Sequence, residues 1–394
     1  MNSVAEIQIF RKNLISNIRQ IREKLPAGNK IAAVVKANAY GHGMKEIVSI
    51  AEKYIDYFQV DDFAELKEIR QYTKKPVLVF GFVSVADLNE CVRLNAILGI
   101  YDLEVARKLN AAAKKRNKII PVHVKVDAFL GRQGILRRDA QKFFAELSRC
   151  KNLSVEAVYS HFSNIEDVSN LSQAKLQHQE LLAVKKIATK AGFKNIFHHI
   201  SATSGFLTDQ KNNWGGKIVR LGIGLYGLWP SESLRRRFGG SKKSGADKSE
   251  RIILKPVMRW VTRIAQIKKI PKNFPVGYGC TFITKTPTTV AVLPQGYSDG
   301  YDRGFSNNSE VLVLDRRCPI IGRVAMNMIV ADVTGLAKGH PTKSFLDKIS
   351  KAEVVLLGRQ GKEEISAEEL AARIGTINYE IVTRVWPNLK RVII

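Results

Sequence analysis

Long apolar runs are missing from this 394-residue sequence. Stretches such as residues 31–35 and 354–357 have the length of a strand, far short of the roughly 20 residues a membrane helix needs, so no membrane span is expected. Cysteine is scarce: Cys91, Cys150, Cys280 and Cys318 are the four, and none falls in a CxxC or metal-ligand spacing. That argues for reduced thiols and against both a disulfide framework and a cysteine metal site; no metal is expected. The opening MNSVAEIQIFRKNL carries a glutamate and no sustained apolar core, so a secretory signal is not expected either and the cytoplasm is the expected location. Acidic side chains are few, 36 against 63 Lys and Arg, a formal charge of +27. Such an excess favours contact with polyanions. Outside one segment the cations are dispersed and no aromatic-interleaved RNA motif accompanies them, which argues against nucleic acid as a specific partner. No internal repeat is visible.

What is present is the composition of a globular protein with a sizeable core, 45% apolar and 25% charged, in a chain long enough for two domains. From about residue 12 to 230, apolar runs alternate with amphipathic stretches. The runs are KIAAVVK, YFQV, PVLVF, AILGI, IIPVHVKV, EAVYSHF, NIFHHIS and KIVRLGIGL. Parallel strands need crossovers and are buried on both faces, so this alternation predicts an α/β fold. A doubly wound sheet would give the same pattern, and the count of eight favours a closed (β/α)8 barrel of the TIM type over residues 11–231. In DDFAELKEIRQY, Phe63, Leu66 and Ile69 share one helical face. Residues 232–255 are rich in Arg, Lys, Gly and Ser and read as a basic linker or surface loop. Residues 256–394 hold short β-branched runs between Gly, Pro and Asp turns, predicting a mostly antiparallel β domain, with residues 1–10 packing against it. Near the end, Ser366 with Glu369 forms a capping box opening one helix.

In a parallel barrel, reactive groups collect at the C-terminal ends of the strands. The first run delivers Lys36 there, in AVVKANAYGHG. A lysine at the rim of an apolar pocket has its ammonium form disfavoured, which frees the amine to attack an aldehyde; taken alone, such a lysine is usually an ordinary snorkelling residue. Gly41 and Gly43 allow a tight turn after it. Ser204, at the head of a helix, and Gly222, on the eighth run, lie where barrel phosphate sites are found.

AVVKANAYGHG closely resembles the pyridoxal-phosphate attachment segment of the alanine racemase family. Further similar segments follow in the family's order over nearly the full length: PVHVKVDAFLGRQG, VYSHFSN, HHISATSGF, VRLGIGLYG, PVGYGCTF, PQGYSDGYD, IGRVAMNM and TINYEIVTRV. The resemblance implies an isomerase that interconverts L-alanine and D-alanine, the latter used in peptidoglycan. It makes Lys36 the residue that holds pyridoxal 5'-phosphate covalently and then serves as one of two bases, with Tyr278 as the other. Tyr40, Tyr379, Ser204 and Gly222 would hold the phosphate, with Thr203 a rival to Ser204. His161 would lie against the pyridine ring. Arg220 would donate to the ring nitrogen, and since a guanidinium has no acceptor and stays protonated, it leaves that nitrogen without a proton. Arg132 and the Met326 amide would hold the substrate carboxylate, and Tyr297 would line the entrance. Lys125 matches a lysine that is often carbamylated. A homodimer is implied, with Tyr278 and Met326 completing the partner's site. The chain departs from the family at Ala128, Phe129 and Leu130, where Thr-Gly-Met is common, and at Asn327, where an acid is usual. A racemase of broader range, a fold-related decarboxylase and a non-catalytic carrier of the cofactor are the alternatives.

Overall fold

The computed structural model describes residues 4–166, 169–208, 214–239, 251–337 and 342–394. The chain forms two compact units, one of residues 14–36 and 47–255, the other of residues 1–13, 37–46 and 256–394.

Numbering strands along the chain, β1 (Ala5–Ile9) belongs to the second unit, and the first unit is built on β2 (Lys30–Val34), β3 (Tyr57–Val60), β4 (Val77–Val79), β5 (Ala96–Ile100), β6 (Ile120–Lys125), β7 (Leu153–Tyr159), β8 (Phe197–His199) and β9 (Ile218–Leu221). These eight strands are parallel neighbours in the order β8-β7-β6-β5-β4-β3-β2-β9. The seam between β8 and β9 has no regular ladder. It is crossed by single backbone bonds, Lys217 N to His198 O and Arg220 N to Ser201 O. The strands are mostly apolar on both faces because one face meets its helices and the other fills the barrel, with His123 and Lys125 on β6, the two histidines of β8 and Arg220 on β9 among the polar exceptions; Ala32, Tyr57, Leu78, Ile97 and Ile218 pack together inside, with Phe80 and Phe197 against them. After β3 the helix Phe63–Ile69 buries Leu66 and Ile69, and Asp62 caps it by accepting from the Glu65 N–H.

In the second unit the strands are β10 (Met258–Arg263), β11 (Gln266–Ile270), β12 (Pro275–Val276), β13 (Phe282–Ile283), β14 (Thr288–Leu293), β15 (Glu310–Val313), β16 (Arg316–Pro319), β17 (Ile329–Asp332), β18 (Glu353–Gln360), β19 (Glu363–Ile365) and β20 (Lys390–Ile393). One sheet runs β16-β15-β18-β10-β1-β20 with β19 on β18; a second runs β11-β14-β17. Pairing is antiparallel except for β1 with β20.

Two local expectations are corrected. The terminal segment forms two helices, Ala367–Arg373 and Asn378–Thr383, because Gly375 takes φ 68° between them and breaks the repeat. The capping box is half made: Ser366 accepts from the Glu369 N–H, while the Glu369 carboxylate is taken by Arg317 and Arg373. Of the basic segment 232–255, residues 240–250 lie outside the described residues, and Glu232–Phe238 form a short helix in which Glu232 pairs with Arg235 and Arg236.

Candidate active site

Within the barrel, the ends of neighbouring strands gather a cationic, buried group of side chains. Arg220 leaves β9 pointing inward and is almost completely buried. Its Nη1 donates to His199 Nδ1 at 2.6 Å, and its Nη2 to the Ser160 and Ile200 carbonyls at 2.8 and 3.1 Å and to His161 Nδ1 at 3.2 Å. Burial pulls its pKa down to about 10, so it remains a cation at neutral pH. His161 is held far from the imidazolium form, at about 3, by burial first and then by Arg220, Lys125 and Arg132. Both atoms that Arg220 meets on these rings are therefore lone pairs.

Lys125 ends β6 and is buried, its Nζ 4.7 Å from the centre of the Tyr159 ring. Burial, then Arg220 and Arg132, push its pKa well below the usual ammonium range. Tyr159, at the end of β7, stacks on Phe80 and His199. Its hydroxyl is buried with no hydrogen-bond partner among the described residues, an atom that calls for a polar occupant. Lys36 follows β2 by two residues and its Nζ lies 3.2 Å from Asp61 Oδ1, with both side chains partly exposed.

Arg132 is exposed, in a loop held by Asp127, whose carboxylate accepts from the Leu130 and Gly131 N–H groups. In that loop Phe129 takes φ 62° and is 58% exposed, a left-handed conformation that favours glycine. Ser204 and Thr203 open the helix Thr203–Thr208. Thr203 Oγ1 accepts from the Gly224 N–H, and Ser204 Oγ donates to Glu166 at 2.8 Å. Gly222 is buried where β9 turns into the short helix Ile223–Tyr226.

The second unit holds the remaining expected residues. Directly after Lys36, Ala37, Asn38, Ala39 and Tyr40 all have φ between 51° and 53°. Four successive non-glycine residues in this region cost about 1–2 kcal/mol each, strain of the kind found at functional sites. Nothing in the residue types signals it, and the sequence reading did not anticipate it. The turn brings the Tyr40 and Tyr379 rings to 6.1 Å. Gly41 follows at φ 77°, where a Cβ would collide with the Val382 carbonyl. Tyr278 stands between Gly277 and Gly279, both at positive φ, and is 73% exposed. Tyr297 and Met326, 43% and 55% exposed, lie on adjoining loops: the Tyr297 N–H donates to Ala325 O, and Ser298 donates from N and Oγ to Met326 O. Asn327 donates to Ser298 Oγ, so an amide ties this loop where the family usually has an acid.

Comparison with known proteins decides the relationship. Residues 9–230 match the family description "Alanine racemase, N-terminal domain" and residues 257–393 match "Alanine racemase, C-terminal domain". The chain belongs to the alanine racemase family. The alanine racemase of Methylacidiphilum infernorum is 32% identical over 389 residues, covering 98% of this chain and 91% of that protein. Among solved structures, alanine racemase from Bacillus anthracis with bound L-Ala-P superposes with a TM-score of 0.88 at 28% identity, covering 100% of this chain and 96% of that one. The Bartonella henselae alanine racemase with covalently bound pyridoxal phosphate shares the fold, with a TM-score of 0.81 at 23% identity over the whole of both chains. Alanine racemases depend on pyridoxal phosphate. Sequence reasoning passed over Tyr159, His199 and His123; their one signal is a polar ring inside an otherwise apolar strand.

Proposed function

We propose that this chain interconverts L-alanine and D-alanine with pyridoxal 5'-phosphate as cofactor. The observation that carries the reading is Arg220: a buried cation at the barrel's reactive end, with four acceptors and, among the described residues, no carboxylate in hydrogen-bond contact. The donor set suits the cofactor. Lys36 supplies an amine for its aldehyde, Arg220 a donor for its ring nitrogen, and His161 a neutral ring to lie against it. For the phosphate, Tyr40 and Tyr379 supply hydroxyls and Gly222 a backbone turn. We place Thr203 there rather than Ser204, because Ser204 is bonded to the Glu166 carboxylate, which would repel a phosphate.

When bound, pyridoxal phosphate supplies an electron sink for the charge left at Cα when its proton departs. Arg220 donates and cannot accept, which weakens that sink. A weaker sink would favour return of the proton at Cα over transamination. Racemisation needs a base for each face. Lys36 would remove or return the proton on one and Tyr278 on the other, since a base moves a proton only from within hydrogen-bond reach of it. Arg132 and the Met326 N–H hold the substrate carboxylate, a planar guanidinium being suited to bidentate contact, and Tyr297 lines the approach. Tyr278 and Met326 act in the partner protomer of a homodimer, a role supported by their exposure in one protomer. At Lys125 burial and then Arg220 and Arg132 disfavour the ammonium form, which favours addition of the amine to CO2 with release of a proton, and the resulting carbamate would neutralise Arg132. No helix among the described residues is long and apolar enough to cross a membrane; we place the protein in the cytoplasm.

The test is incubation of the protein and cofactor with separate L-amino acids, reading D enantiomers by chiral chromatography. D-alanine is expected in excess over other products, and none from Lys36→Ala. Comparable racemisation of several amino acids would replace alanine specificity by a broader range. Cofactor bound at Lys36 with no D product at any protein concentration would overturn the proposal in favour of a carrier.

A further inference from the structure

Arg220 is one end of a polar column that runs down the inside of the barrel. His199 accepts from the guanidinium at Nδ1, so its proton is on Nε2, and Nε2 lies 3.0 Å from His123 Nδ1. His123 is thereby an acceptor at Nδ1 and carries its own proton on Nε2. That atom is fully buried and has no hydrogen-bond partner among the described residues. The polar group facing it is the Glu156 carboxylate, with Oε2 at 3.7 Å. Around the column lie Phe80, Phe197 and the Tyr159 ring, so the two imidazoles are its polar path through an apolar interior.

Glu156 reaches this position through a break in strand register. Along β6 and β7 the pairing runs Val122 with Val155 and then His123 with Ala157. Glu156 is the extra residue of a bulge, a device that re-aims a side chain. It is 39% exposed and lines a cavity of about 520 Å³ with Tyr57, Pro76, Asn95, Lys118 and Pro121. These residues stand at or just before the starts of their strands. The carboxylate thus sits at the mouth opposite to the one that holds Arg220.

We propose that Glu156 is a positioning residue for Arg220: its carboxylate, 3.7 Å from His123 Nε2 and so facing it without a direct hydrogen bond, is the acceptor that orients the hydrogen-bonded pair of His123 and His199 whose donor end is the guanidinium. Arg220 can only donate and an ionised carboxylate can only accept, so the two ends impose one direction on both imidazoles. The carboxylate is also the counter-charge that a buried cation lacks at first contact. The reading of Arg220 as the group that meets the cofactor ring rests on the function proposed above; the chain itself does not.

The experiment uses the full chain, labelled with 15N-histidine, with and without pyridoxal phosphate; its seven histidines keep the spectrum tractable. In the parent, His123 and His199 are expected as neutral rings protonated at Nε2. Glu156→Gln keeps an acceptor and should keep that pattern, with cofactor affinity within about twofold of the parent. Glu156→Leu and Glu156→Lys remove the acceptor at a half-exposed site that tolerates either side chain. Both should raise the Nδ1-protonated share of His123, alter the His199 signals and weaken cofactor binding about threefold or more. A surface or packing role for Glu156 would move none of these signals. The proposal is overturned if either ring is protonated at Nδ1 in the parent, a reading that needs no variant to fold. It is equally overturned if Leu and Lys leave His199 unchanged, or if Gln behaves as they do. Failure of racemisation with the tautomers as expected would sink the proposed function and leave the chain standing.

Discussion

The two units hold their candidate site residues in opposite ways. In the barrel, Arg220, His199 and Lys125 are buried and their polar atoms are aimed by neighbours. In the second unit, Tyr278, between two glycines at positive φ, and Met326 project to solvent. A buried charge must be surrounded by partners before the chain is stable, so its geometry is part of folding. An exposed phenol has no such requirement. Damage to the first group should therefore appear as lost stability and damage to the second as lost turnover alone.

The largest expected effect breaks the second half of that contrast. Tyr278→Phe removes one proton carrier and should lower kcat by about 10²–10⁴-fold. Its melting temperature should match the parent's, since an exposed substitution changes stability by about 0.5 kcal/mol or less. Next comes Arg220→Leu, which leaves His199 Nδ1 and the Ser160 and Ile200 carbonyls without their donor. Denaturant unfolding should show a loss of about 3 kcal/mol or more. Equal stability of the two variants would remove the distinction.

Acid sharpens it. His161 has a folded pKa of about 3 and His198 of about 4, against 6.5 when unfolded, both chiefly through burial; His123 and His199 are shifted the same way. In the second unit His42 behaves likewise, at about 4. Below pH 6.5 the unfolded chain binds protons that the folded one refuses. The stabilisation is therefore complete above that pH and is lost as pH falls toward the folded values. Each such histidine contributes a slope of up to about 1.4 kcal/mol per pH unit. His178 is lowered by burial too, so five of these six histidines are in the barrel unit, and hydrogen exchange between pH 6 and 4 should rise there first. The smallest effect concerns Phe129, whose φ of 62° is strained for any side chain; Phe129→Gly should stabilise the protein by about 1 kcal/mol, read as a raised melting temperature.

Much of the fold was legible because burial on both faces writes each parallel strand as a continuous apolar run, and eight such runs are the eight barrel strands. The turn after Lys36 was legible only at Gly41 and Gly43; the left-handed run from Ala37 to Tyr40 is written in residue types that ordinarily avoid it. Ser366 announced its helix, but Glu369 was drawn to Arg317, a residue more than fifty positions away that no local pattern foretells. The strings around Lys36, Arg220 and Tyr278 pointed to the family because they bring reactive residue types together locally.

By itself the sequence determined which segments become strands and which residue types carry the chemistry, since these depend on local periodicity and residue type. Only the tertiary structure decided that His199 and His123 connect Arg220 to Glu156, that Lys125 lies among arginines, and that Tyr40 meets Tyr379. Those pairings join residues dozens to hundreds of positions apart, and a hydrogen bond is set by distance and direction in space, which no spacing along the chain encodes.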